Sequence, residues 1–395
     1  MKLLWVKSDL LHPTTRGGQI RTLEMLRRLH ARHEVHYVCL TYPGEPAEAL
    51  ARASEYCSFV YPVPHQPPDK RSFAFVLQLA GSLFAPLPVA LGRFVSPAMR
   101  TLIADLQQKH RFDCTVADFL FAAPNIPDLG SAVLFQHNVE AVIWQRRVET
   151  ASDPVSKAYL RLQANRMFAY EKAACLGARK VVAVSDTDAE TMRRLYGVQN
   201  VPAVSTGVDV DFFAPPAERH PKFDLVFVGS MDWMPNTDGA SWFTQEVLPL
   251  IRKKRPACSL AIVGRDPSPA VQALAKADPH ITVTGTVPDV RSWMFDSSVA
   301  IVPLRIGGGT RLKIYEAMAA GLPVVSTTIG AEGLRVNNGE NICIADSAAD
   351  FAAACLRLLE SPEERSGISG AALHNVRTYC SWEAISRQFE DFLTS

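Results

Sequence analysis

Short apolar runs alternate with helix-like stretches along most of the chain. In the first half "LLWVK" leads into "GQIRTLEMLRRLHAR", and "EVHYVCLTY", "DCTVADF", "AVLFQHN" and "KVVAVS" follow with helical pattern between them. This alternation predicts a parallel sheet wrapped by helices. It restarts with "FDLVFVGS", "CSLAIVG", "ITVTGTV", "VAIVPL", "PVVST" and "NICIA", so a second doubly wound α/β domain is expected. Between the halves, "FFAPPAERHPK" gathers prolines and mixed charge as an inter-domain linker does. After Ser347 only helical pattern remains, and Ser361 followed by Pro362 and two glutamates marks a helix start.

One segment complicates this picture. Ser72 to Phe94 runs uncharged between Arg71 and Arg93, long enough to raise a membrane span. Gly81, Pro86 and Pro88 interrupt it, and prolines there would end a helix near residue 85. The expectation is a buried or surface-lying helix rather than a span, in its plainest form a core helix followed by a loop.

Composition narrows the partners. A chain of 395 residues exceeds what one hydrophobic core usually serves, which agrees with two domains. Its 41 basic and 40 acidic residues nearly cancel, so a general nucleic-acid binder or a polybasic membrane anchor is not expected. The eight cysteines form no C-x-x-C pair and sit mostly in apolar runs, reading as reduced and buried in a cytosolic protein. "MKLLWVKSDL" lacks the apolar core of a signal peptide and reads as a first strand, so a cytoplasmic location is expected.

The candidate chemistry lies at the carboxyl ends of strands, where an open α/β sheet gathers its ligands. "VAIVPL" ends near Leu304, which puts Gly307, Gly308 and Gly309 in such a place. Thr310 is a suitable N-cap, and Leu312, Tyr315 and Ala319 give the next helix a buried face. Glycines and free N–H groups at a helix start admit an anion. Arg311 and Lys313 sit in the first turn, where the helix dipole disfavours cations unless an anion accompanies them. Glu316, one turn past Lys313, could accept hydrogen bonds from a diol such as ribose while the cations hold a diphosphate. A plain glycine turn with a solvated Lys-Glu pair fits equally well, and composition does not separate the two.

Weaker candidates share that geography. Gly17 and Gly18, with Arg16 beside them, open a helix after the first strand. His137 closes "AVLFQH"; Gly229 and Ser230 end one strand of the second half, and "VGRDP" ends another. No histidine or cysteine cluster has metal-ligand spacing, and no G-x-S-x-G, Walker or G-x-G-x-x-G signature appears, so metal, serine-hydrolase and P-loop chemistry lose ground.

With these elements in order, the sequence resembles glycosyltransferase family 4, of the GT-B fold, and within it bacterial sugar transferases of exopolysaccharide and exosortase (PEP-CTERM) systems. The stretches that carry the likeness are "GGQIRTLEMLRRL", "QHNVEAVIWQRR", "VVAVSDTDAETM", "STGVDVDFF", "VGSMDWMPN", "GTVPDV", "GGGTRLKIYEAMAAGLPVVST" and "GAEGL", and they span nearly the whole chain. The resemblance implies two Rossmann-like domains facing a cleft: 1–214 on the acceptor side, 215–380 binding the nucleotide sugar, and a C-terminal helix, 381–395, packing back toward the first.

It further implies that Glu316 holds the ribose, that Gly307, Gly308, Gly309 and Thr310 meet the diphosphate and sugar, and that Val287 contacts the base. Gly229 and Ser230 would also lie against the donor. His137 would touch the donor sugar near the reacting carbon, while Arg16, Gly17 and Gly18 belong to the loop over donor and acceptor. Two features depart from the family pattern. The first of its two paired glutamates is Gly308 here, and its Arg and Lys after the first strand of the second domain are Ser230 and Asn236. Arg311 and Lys313 are the evident replacements.

The expected activity is retaining, metal-independent transfer of a hexose-like sugar from a nucleotide sugar to a glycan or lipid-linked acceptor, without a cofactor. A nucleotide-sugar epimerase and a non-catalytic sugar-nucleotide-binding protein remain alternatives. A lipid-linked acceptor would give residues 72–94 a role at the inner face of the cell membrane.

Overall fold

The computed structural model describes residues 1–14, 17–69, 72–83, 85–306 and 312–394, with the side chains of Val76 and Gln78 outside the description. Two compact units divide between Ser205 and Thr206: Met1–Ser205 with Ile385–Ser395, and Thr206–Ala384.

The first unit carries six parallel strands: β1 (Lys2–Lys7), β2 (Glu34–Thr41), β3 (Phe59–Pro64), β4 (Cys114–Asp118), β5 (Ala132–Phe135) and β6 (Lys180–Val182). Their order across the sheet is β3-β2-β1-β4-β5-β6. Leu3, Leu4, Trp5 and Val6 of β1 are all fully buried, which is why "KLLWVK" reads as a continuous apolar run: helices cover both faces of a parallel sheet. β3 escapes the reading of apolar runs because Pro62 and Pro64 depress its strand signal, and it lies at the sheet edge, where prolines are tolerated.

The second unit repeats the plan with β7 (Phe223–Val228), β8 (Leu260–Val263), β9 (Ile281–Val283), β10 (Ser297–Val302), β11 (Val324–Ser326) and β12 (Cys343–Ile344), in the order β12-β11-β10-β7-β8-β9. Both are the doubly wound order whose direction reverses once. The reversal lies between β1 and β4 in the first sheet and between β7 and β10 in the second. The carboxyl ends of those four strands are therefore where a ligand crevice is expected in each unit.

Local signals set the helices. The helix Asp186–Tyr196 starts at Ser185, whose hydroxyl accepts from the Asp188 amide, carries Asp186 and Asp188 in its first turn and Arg193 and Arg194 in its last, and stops at Gly197 with φ 76°. Ser361 likewise caps Pro362–Asn375, as its Ser-Pro-Glu-Glu run implies. In the last helix, Trp382–Thr394, the buried Ile385, Phe389 and Leu393 recur every fourth residue, and the Phe389 ring packs against Trp5 and Phe135.

The described residues between 72 and 94 include the helix Phe73–Gly81 and a one-turn helix, Val89–Gly92. No helix among the described residues is long and apolar enough to cross a membrane. The helix is not a core helix either: Phe73 is 75% and Leu77 58% exposed. All eight cysteines are buried and unpaired.

Candidate functional site

The first unit builds a buried charged cluster at its strand reversal. Trp5 and Lys7 lie on one face of β1, and Asp118 closes the neighbouring β4. The Asp118 carboxylate is wholly buried. Its Oδ2 accepts from Trp5 Nε1 at 2.8 Å and from Thr22 Oγ1 at 2.6 Å, with Lys7 Nζ at 3.2 Å. Its Oδ1 lies 2.7 Å from His137 Nε2. Lys7 and His137 hold the carboxyl well below its usual range although burial acts the other way. Burial lowers the pKa of His137, and the neighbouring Asp118 opposes that shift.

The ring of His137 is confined on several sides. It meets Phe119 and Phe135 at centroid distances of 5.1 and 4.8 Å. Phe119 adopts φ 80°, a left-handed conformation that costs a β-carbon residue about 1–3 kcal/mol. That turn lets its amide donate to the Phe135 carbonyl at 2.8 Å while its ring reaches His137. Gly18, at the start of the helix Gly17–His30, lies beside the imidazole: a β-carbon there would sit 3.4 Å from His137 Nδ1, in van der Waals contact. Arg21, one turn on, is buried, which brings its pKa down to about 10 against the pull of Asp118; it stays charged at neutral pH. His137 and Gly18 are thus brought together. Gly17 is exposed with open space around it, and Arg16 lies outside the described residues.

The second unit gathers polar groups at the carboxyl ends of β7 and β8. Lys313, on the helix Leu312–Ala319, donates from Nζ to Asn236 Oδ1 at 2.7 Å, and the buried Asn236 amide donates in turn to the Ser230 carbonyl at 2.7 Å. The ammonium also lies 5.0 Å from the centre of the Phe227 ring. A β-carbon at Gly229 would fall 2.6 Å from Lys313 Nζ and 2.7 Å from Asn236 Nδ2, so it would fit only if those two side-chain tips were displaced. Arg265, following β8, donates from Nε to Ser230 Oγ at 3.3 Å. Ser230 and Asn236, neutral in sequence, are therefore each in contact with a cation from elsewhere in the unit.

Glu316, one turn after Lys313 and half-buried, has its carboxyl pKa raised by burial and lowered in part by Lys313. Val287 lies half-buried in the loop after β9, at the same carboxyl edge. Gly307, Gly308, Gly309, Thr310 and Arg311 lie outside the described residues.

Sequence reasoning passed over Lys7 and Asp118, and included Arg265 only as part of the "VGRDP" stretch. The signal available was a charged residue at or just past the end of an apolar run, in "LLWVK", "CTVAD" and "LAIVGR".

The family described as "Glycosyltransferase Family 4" matches residues 15–212, just over half of the chain. The chain belongs to that family. A second profile, "Glycosyl transferases group 1", matches residues 222–361. This family 4 glycosyltransferase is 25% identical over 370 residues to an uncharacterized 44.6 kDa protein in the cps region of Klebsiella pneumoniae, covering 89% of each chain. It is 27% identical over 248 residues to D-inositol 3-phosphate glycosyltransferase of Thermomonospora curvata, covering 54% of this chain and 56% of that one. In fold it is similar to HepE of Anabaena, a structure determined in complex with UDP, with a TM-score of 0.63 at 14% identity over the whole of both chains. The two parallel six-stranded sheets are those of the GT-B fold.

Proposed function

We propose that this glycosyltransferase moves a sugar, with retention, from a nucleoside-diphosphate sugar to a hydroxyl of a glycan or lipid-linked acceptor in the synthesis of exopolysaccharide or cell-envelope glycan. The observation that carries the reading is the Lys313 ammonium held by Asn236 above a glycine, at the carboxyl end of β7 where the sheet reverses. A cation there suits a diphosphate, and Glu316 one turn away suits the ribose hydroxyls. HepE, of the same fold, has been determined with UDP and with UDP-glucose, which supports a nucleotide-sugar donor. The Klebsiella relative lies in a cps region, which supports the polysaccharide role.

In this reading Lys313 and Arg311 stabilise the charge that builds on the diphosphate as its bond to the anomeric carbon breaks. The acceptor oxygen forms the new bond on the same face, and its proton passes to the departing phosphate, so neither a protein base nor a metal is needed. Val287 lies by the base, and Ser230 and Arg265 lie near the phosphates. His137 contacts the donor sugar near the reacting carbon, with Gly17 and Gly18 beside donor and acceptor. Replacing Arg311 and Lys313 together with alanine tests this: transfer should drop by about 100-fold or more and nucleotide affinity by about tenfold. Wild-type values for both would end the reading of Arg311 and Lys313 as diphosphate ligands, and epimer formation from a nucleotide sugar without acceptor would replace transfer with epimerisation.

A lipid-linked acceptor accounts for the exposed apolar side chains of Phe73 and Leu77 as a surface that enters the headgroup region of the membrane.

A further inference from the structure

The loop that carries His137 is held by a buried carboxylate distant in sequence. Glu171 lies mid-way along the helix Pro154–Gly177 and is completely buried. Its Oε1 accepts from Gln136 Nε2 at 3.0 Å and from the Glu140 amide at 3.0 Å. Its Oε2 accepts from the Ala141 amide at 2.8 Å and from the Tyr196 hydroxyl at 2.6 Å. Glu140 opens the helix Glu140–Thr150, whose N-cap position is Val139, a side chain with no acceptor. Glu171 therefore performs from another helix the capping that Val139 cannot, satisfying two of the helix's free amides. Through Gln136 on one side and Glu140 and Ala141 on the other, the same carboxylate brackets His137.

We infer that Glu171 is a positioning residue for His137, fixing residues 136–141 so that the imidazole stays against Asp118 and Gly18. The inference rests on the reading of His137 as a sugar-contacting group. All four donors are neutral, and burial pushes the Glu171 pKa up to about 7 against the hydrogen bonds from Tyr196 and the two amides. Placing a carboxylate there without a cation costs stability, whereas a glutamine would fill the same volume. A carboxylate can accept from all four donors, whereas a glutamine would turn its amide nitrogen toward two of them, so the carboxylate fixes the loop more firmly than an amide could.

The test is a double-mutant cycle on the full chain with Glu171→Gln and His137→Ala, reading turnover of the nucleotide sugar and affinity for the free nucleoside diphosphate. Glu171→Gln should lower turnover about 30-fold with nucleotide affinity unchanged, yet cost less than about threefold in the His137→Ala background. The His137 imidazole signal of histidine-labelled protein should move in Glu171→Gln, while those of His12 and His36 stay in place. Gln136→Leu, which cuts one side of the bracket and leaves the helix cap, should repeat the pattern at about fivefold. An equal loss in both backgrounds, or an unmoved His137 signal in both variants, would overturn the inference. Wild-type turnover in His137→Ala would overturn it differently, by removing the reading of His137 itself.

Discussion

Gly229 and Gly264 differ in what a methyl group would meet. A β-carbon at Gly264 would lie 1.7 Å from the Gly229 carbonyl oxygen, which is backbone and cannot swing aside. At Gly229 it meets the tips of Lys313 and Asn236, which can. Gly264→Ala should therefore cost more than about 2 kcal/mol in urea unfolding, while Gly229→Ala should unfold near the wild-type midpoint and bind nucleoside diphosphate about tenfold more weakly in calorimetry. Asp118→Ala strands the buried Lys7 ammonium and should cost about 3–5 kcal/mol. Because the folded pKa of His137 lies below its ordinary 6.5, the unfolded chain takes up a proton that the native one refuses. Its contribution to stability is complete above that value and is lost as pH falls below it. Urea midpoints measured from pH 7 to 5 should decline less steeply in His137→Gln than in the wild type. At this scale the sequence pointed to His137, Lys313 and Glu316 as candidates, since they stand at strand ends or in a helix's first turns. It could not show that Lys313 reaches Asn236, because that contact joins residues 77 positions apart.

At the scale of elements, the βα alternation was legible because parallel strands buried on both faces read as unbroken apolar runs. β3 was not, since two prolines at an edge strand remove the pattern that identified the others. The apolar segment after Ser72 was ambiguous for the opposite reason: hydrophobicity alone does not tell a core helix from a surface one. Phe73 and Leu77 on the exposed face of Phe73–Gly81 resolve that ambiguity toward the surface. If this helix meets lipid, the protein should co-sediment with anionic liposomes, and Phe73→Asp with Leu77→Asp should reduce the bound fraction at least fivefold without moving the unfolding midpoint. Equal sedimentation of wild type and variant would argue against a lipid-facing role.

For the molecule as a whole, one strand order used twice places the crevice of each unit at the carboxyl ends of the strands where the order reverses, with His137 against Asp118 there in the first unit and Lys313 with Asn236 and Ser230 in the second. The sequence revealed the repetition but not the strand order, which depends on long-range pairing such as Val6 beside Ala117. In the proposed function the second unit holds a nucleoside diphosphate through Lys313 and Asn236. Isothermal titration of UDP, GDP, ADP and CDP into the wild type and Lys313→Ala tests it most directly. At least one nucleotide should bind the wild type with a dissociation constant in the micromolar range and bind Lys313→Ala about tenfold or more weakly. Absence of binding by all four, or equal affinity for the two proteins, would rule out a diphosphate held by Lys313.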